Sequence, residues 1–156
     1  MTDTHELRID RTIDAPVEAV WRAWTWHVSE WFCPRPWRAE VVEQDLRPGG
    51  RSAMVMRGPN GEENGIEGVI LDVEPGRRIV STDAFTVGWM PAGPFMVRID
   101  LFEADPADPG RTRYSAIARH WTAEAAEQHK AMGFEAGWSA SADQLEAVAR
   151  RLAAGG

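Results

Sequence analysis

The sequence predicts an α+β domain in which a curved antiparallel sheet closes around a final helix. Two observations carry this. The stretch Thr122 to Leu152 holds an apolar stripe at helical spacing (Phe134, Trp138, Ser141, Leu145, Val148, Leu152), with Gln128, Glu135, Glu146 and Arg150 on the opposite side. Before it, turn signals recur at hairpin intervals: Arg47-Pro48-Gly49-Gly50, Pro59-Asn60-Gly61, Pro75-Gly76, Met90-Pro91-Ala92-Gly93-Pro94 and Asp105-Pro106-Ala107-Asp108-Pro109-Gly110. Connections this short suit antiparallel neighbours.

Taken in order, Leu7, Ile9, Arg11 and Ile13 alternate with charged or polar residues and predict a first strand from Glu6 to Ile13. Pro16 suits the first turn of a short helix to about Trp24, with Val17, Val20, Trp21 and Trp24 on one side. A second helical piece, Val28 to Phe32, is stopped by Cys33-Pro34-Arg35-Pro36, since proline disfavours helix in the residue before it. Six further strands follow: Arg38 to Leu46, Arg51 to Arg57, Gly65 to Val73, Arg77 to Phe85, Phe95 to Glu103 and Thr112 to Trp121. The last helix is expected to be continuous, with Thr122 as N-cap, Glu124 and Glu127 in its first turns, and Arg150 and Arg151 in its last. Gly133, Gly137 and Ala140 fall together beside its stripe, at a cost of about 1 kcal/mol per interior glycine. Either the backbone packs closely on the sheet there, or the flank is kept bare for a ligand.

With 156 residues, 44% hydrophobic and 26% charged, one domain spanning residues 1–156 is expected. The net charge of -7, without a sustained basic run, argues against nucleic acid or an anionic membrane surface as partner. The start MTDTHELRID has neither the basic flank nor the apolar core of a leader, and no run approaches a membrane span, so a cytoplasmic protein with no membrane insertion is expected. The single cysteine, Cys33, excludes an internal disulfide. The eight tryptophans are the compositional oddity, and several must be core or pocket wall, since each can bury about 150 to 250 Å².

Several segments carry a resemblance: Ile13-Asp14-Ala15-Pro16-Val17-Glu18-Ala19-Val20-Trp21, Trp31-Phe32-Cys33-Pro34, Asp45-Leu46-Arg47-Pro48-Gly49-Gly50, Gly68-Val69-Ile70-Leu71-Asp72-Val73-Glu74-Pro75 and Gly137-Trp138. Over about residues 6 to 152 the chain resembles the heat-shock protein 90 ATPase activator homologue family, of the START-like, birch-pollen-allergen-like superfamily. The resemblance implies the helix-grip fold: a curved seven-stranded antiparallel sheet around a long C-terminal helix, with two short helices after the first strand. It implies three functions. The first is binding of a small hydrophobic or aromatic molecule in a cavity between sheet and helix. The second is stimulation of a chaperone ATPase. The third is a cyclase or aromatase chemistry using pocket acids and bases, for which Glu67, Asp83 and His120 are the candidates. A chaperone partner and a homodimer are the assemblies left open.

No chemical motif is strong. His5, His27, His120 and His129 are scattered without metal-ligand spacing, so no metal is expected, and no cofactor either. Gly49-Gly50 lacks the lysine and following helix of a phosphate loop. Pocket candidates come from strand alternation. Glu67 shares a face with Val69, Leu71 and Val73, either as an inward carboxylate or as a solvated strand end. Tyr114, Ala116, Ala118 and His120 share another, with His120 either at a pocket rim or merely near a helix start. Met54 and Met56 offer an adaptable apolar face, or plain core filler. Trp37, Trp89 and Trp121 sit near strand ends, as entrance walls or rim anchors. Asp83, Gly133, Gly137 and Trp138 complete the expected pocket set.

Overall fold

Strand β1 (Glu6–Ile13) is followed by helices α1 (Val17–Trp26) and α2 (Val28–Trp31), then β2 (Arg38–Gln44), β3 (Arg51–Arg57), β4 (Glu63–Glu74) and β5 (Arg78–Thr82). A two-residue-per-strand hairpin, β6 (Phe85–Thr86) and β7 (Met90–Pro91), precedes the long strands β8 (Met96–Asp105) and β9 (Asp108–His120). Helices α3 (Ala123–Ala131) and α4 (Phe134–Ala153) end the chain. This computed structural model describes residues 5–155, so residues 1–4, on which part of the leader reading rests, lie outside it.

Seven strands form one antiparallel sheet in the order β1-β9-β8-β5-β4-β3-β2, and β6–β7 stands apart as a separate ribbon. The helix-grip α+β fold is therefore present, with the expected seven strands and one small hairpin added between β5 and β8, from Phe85, expected to end the preceding strand, to Pro91. The β8–β9 register sets Met96 opposite His120, Arg98 opposite Ala118, Asp100 opposite Ala116 and Phe102 opposite Tyr114, so these eight side chains share the face turned towards α4. Ile13, Val20, Trp24, Trp31, Phe102 and Leu145 form the main core where α1 and α4 pack on that face. Leucine at 145 has no exposed surface; truncations of such residues cost about 2 to 5 kcal/mol.

The expected single helix is two. Thr122 caps α3 as anticipated, its Oγ1 accepting from Ala125 N at 3.1 Å, but the helix stops at Ala131 and restarts at Phe134. Gly133 between them has a φ of +93°, a left-handed conformation that ends a helix and favours glycine. Continuity also lacks a packing reason: among α3 residues only Ala126 and His129 are buried, so the stripe proper begins at Phe134.

Helix α4 also shapes the bend after α2. Ser141, which sits in the apolar stripe, donates its hydroxyl to Phe32 O at 2.8 Å. Gln144 Nε2 donates to Trp31 O at 3.1 Å and Cys33 O at 2.8 Å, while its Oε1 accepts from Arg35 N at 3.2 Å. The bend left without helical partners by its prolines is thus satisfied by side chains of α4. Its two aromatic rings are held in place over the sheet.

Candidate functional site

Between the inward face of the sheet, the Trp31–Pro34 bend and α4 lies a cavity of about 610 Å³, within the range of small-molecule sites. Its walls are aromatic: Trp31 and Phe32 from the bend, Phe95 ahead of β8, and Phe134 and Trp138 from the first turns of α4. Phe134 and Trp138 rings stand 4.5 Å apart, and Phe95 meets the His129 ring at 4.9 Å.

The polar part of the wall is built on a buried ion pair. Asp100 has no exposed side-chain surface, and Arg98 is only 12% exposed. Arg98 donates from Nε to Asp100 Oδ2 at 2.9 Å and from Nη2 to Oδ1 at 3.1 Å. Asp100 Oδ1 also accepts from Trp24 Nε1 at 3.1 Å and from the Tyr114 hydroxyl at 2.6 Å. The carboxylate thus accepts four hydrogen bonds, three on Oδ1 and one on Oδ2, and such compensation is the condition under which a buried pair is tolerated. Burial lowers the Arg98 pKa, but the Asp100 carboxylate, with Tyr114, outweighs it and leaves it raised. Burial and then the Asp100 charge push the Tyr114 phenol well up, so it stays a donor. The guanidinium lies over three rings, with Cζ 4.4 Å from the Trp138 centroid, 5.3 Å from Phe32 and 5.8 Å from Trp31.

Beside it stand two histidines. His120 Nδ1 lies 2.9 Å from the His5 carbonyl oxygen, and His120 Nε2 lies 2.9 Å from His129 Nδ1. A carbonyl only accepts, so His120 Nδ1 carries the proton, its Nε2 accepts from His129 Nδ1–H, and His129 Nε2 is left as a bare acceptor. Burial first, then His120 and the Arg98 charge, lower the His129 pKa to about 4, so the ring is neutral at neutral pH. Its own ring packs against Trp138 at 5.7 Å.

Of the residues expected from the sequence, Met56, Glu67, Asp83, Tyr114, Gly133, Gly137 and Trp138 border this cavity. Their roles differ from the expectation in places. Glu67 is opposite Ala53 while its neighbours Ile66 and Gly68 are opposite Met54 and Ser52, so its side chain leaves on the outer face. There it pairs with Arg51 at 3.2 Å and is 42% exposed, the solvated alternative. Asp83 Oδ1 accepts from Phe95 N at 2.7 Å and Met96 N at 3.2 Å, holding the loop rather than presenting a free acid. His120 does not border the cavity; His129 stands between them. Met54 and Trp37 belong to a second apolar cluster with Val28, Cys33 and Ala39. Trp89 is 53% exposed on the β6–β7 hairpin, edge-on to Phe85 at 5.9 Å. Glu67, Asp83 and His120 therefore do not converge on one reacting point. Gly133 has nothing within 4 Å of an added Cβ, and at Gly137 only Pro34 Cγ would be met, at 3.9 Å, so neither glycine serves close packing on the sheet.

Arg98, His129, Phe95 and Phe32 were not singled out from the sequence. Arg98 and Asp100 two residues apart on one strand face, with Phe102 beyond, is the signal that could have found Arg98; no local pattern marks the other three.

Comparison with known proteins places the chain. Among curated proteins none matches the sequence significantly. A solved structure of a protein from Nitrosomonas europaea is similar at 33% identity and a TM-score of 0.87, covering 98% of this chain and 99% of that one. One from Mycobacterium smegmatis is similar at 28% identity and a TM-score of 0.76, covering 94% and 91%. At 19% identity and a TM-score of 0.67 the AHSA1 protein of Silicibacter pomeroyi shares the fold, covering 91% of this chain and 95% of its own. The family profile "Activator of Hsp90 ATPase homolog 1-like protein" matches residues 14–150, most of the sequence, and the chain belongs to that family.

Proposed function

We propose that this protein binds a small apolar or aromatic molecule in the cavity between the sheet and α4. What supports the reading most is the cavity wall, in which Trp31, Phe32, Phe95, Tyr114, Phe134 and Trp138 surround a space of about 610 Å³ that the Arg98 guanidinium and the neutral His129 imidazole also line. Binding fits this wall better than acid-base catalysis. A histidine whose pKa is held near 4 is a poor proton acceptor from carbon or alcohol at neutral pH, and Arg98 is locked to Asp100. Trp31 and Trp138 line the space, so occupation should change tryptophan fluorescence. A ligand at a hundred times its Kd should add about 2.7 kcal/mol of stability, a rise in Tm of about 5 to 10 °C for a domain of this size. A panel of bicyclic aromatic compounds giving neither signal would refute the reading.

A second reading, stimulation of a chaperone ATPase, is favoured by the family description. Under it, adding this protein to a matched bacterial chaperone raises ATP turnover, and the Gly137→Leu variant does so equally. No rise at excess protein removes that role.

A further inference from the structure

Two polar atoms of the cavity wall are left with open valences. Among the described residues no wholly buried side-chain nitrogen or oxygen lacks a hydrogen-bond partner. Arg98 is bonded to Asp100 through Nε and Nη2, with the Tyr114 hydroxyl also beside the guanidinium, and His129 is bonded through Nδ1. Arg98 Nη1 and His129 Nε2 make no hydrogen bond in the protein, so both reach accessible space, and both residues line the same cavity. Both residues pack against one indole, with the Arg98 guanidinium carbon 4.4 Å and the His129 ring 5.7 Å from the Trp138 centroid, and they are near enough for the Arg98 charge to act on His129. One atom is a donor and the other an acceptor.

Resting on the cavity-binding reading above, we infer that Arg98 Nη1 and His129 Nε2 are the polar end of the site and that they select an uncharged hydroxyl on an aromatic ligand over the matching carboxylate. A hydroxyl serves both atoms, its oxygen accepting from Arg98 and its O–H donating to His129. A carboxylate serves only the first. It offers no hydrogen to His129 Nε2, and burial, His120 and the Arg98 charge hold the ring without the second proton that would make it a donor at pH 7. The Arg98 charge gives the anion little advantage, because Asp100 already holds the Nε and Nη2 side of the guanidinium and neutralises it. His120 is a positioning residue: its bond to the His5 carbonyl fixes which nitrogen of His129 faces the ligand. An apolar wall that excludes water makes the difference large, since a buried acceptor left unpaired is costly.

The test is a titration of the full chain at pH 7.5 with naphthalene, naphthalen-2-ol and naphthalene-2-carboxylate, followed by tryptophan fluorescence. The alcohol is expected to bind at least tenfold more tightly than naphthalene and at least tenfold more tightly than the carboxylate. In His129→Phe the advantage of the alcohol over naphthalene, both measured on that variant, is expected to vanish. If that variant does not fold, the wild-type ranking decides alone. A carboxylate that binds as well as the alcohol, or an alcohol no better than naphthalene, overturns this inference while leaving the cavity reading intact. Absence of binding by all three overturns both.

Discussion

At the scale of single residues, Asp100 carries the largest consequence. It has no exposed surface and accepts from Trp24, Tyr114 and Arg98, so truncating it strands a guanidinium among aromatic rings. Asp100→Ala should lose about 3 to 5 kcal/mol in urea unfolding, against the roughly 1 kcal/mol typical of point changes. A loss below 1 kcal/mol would mean the pair is not buried as described. His129 gives a pH signature. Its folded pKa of about 4 lies below the free value of 6.5, so between those pH values the unfolded chain takes up a proton that the folded one refuses. The stability contributed by the neutral ring is whole above about pH 6.5 and is lost as pH falls towards 4, by up to about 3 kcal/mol. Unfolding free energies at pH 7 and pH 4.5 should therefore fall further for the wild type than for His129→Phe; equal losses would place His129 in solvent. These residues were the least legible in the sequence. On β8 plain alternation favours Val97, Ile99 and Leu101 as the inner face, and what inverts it is a charge pair whose partners, Trp24 and Tyr114, come from a helix and a neighbouring strand. Likewise His120 and His129 meet only because α3 folds back beside β9.

At the scale of elements, the two glycines that the sequence placed side by side do different things. Gly133 ends α3 with φ at +93°, so Gly133→Ala should cost about 1 to 2 kcal/mol through backbone strain although no atom lies within 4 Å of the new Cβ. Gly137 has ordinary helical backbone inside α4 and opens onto the cavity. Gly137→Leu should leave stability within about 1 kcal/mol of the wild type, helped by better helix propensity, and weaken ligand binding at least tenfold, about 1.4 kcal/mol. Thermal unfolding and ligand titration of both variants separate the cases; a Gly137→Leu protein that unfolds much earlier yet binds normally would make that flank structural. The stripe Phe134 to Leu152 was readable because its spacing is local. The break before it was not, since nothing in Ala131-Met132-Gly133 distinguishes a helix-ending glycine from a helix-lining one until the weak packing of α3 is known.

At the scale of the molecule, the sheet was legible strand by strand because each turn signal lies in the chain itself, from Pro75-Gly76 to Asp105-Pro106. The cavity was legible only as a consequence of that architecture: a curved sheet and a straight helix diverge, and aromatic side chains from the Trp31–Pro34 bend and from α4 line the gap without filling it. Tyr114, Trp138 and Met56 could be guessed from alternation and helical spacing, but the bend aromatics owe their place to Ser141 and Gln144, which are contacts across more than 100 residues of chain. The central claim is that this space takes a ligand. Its most direct test is an amide NMR titration of the labelled protein with naphthalen-2-ol. The account predicts that the shifted amides cluster at Phe32–Pro34, Phe95–Arg98 and Met132–Ala142, with the outer strand β2 unmoved; shifts confined to the β6–β7 hairpin or to the outer face, or none at saturating ligand, would contradict it.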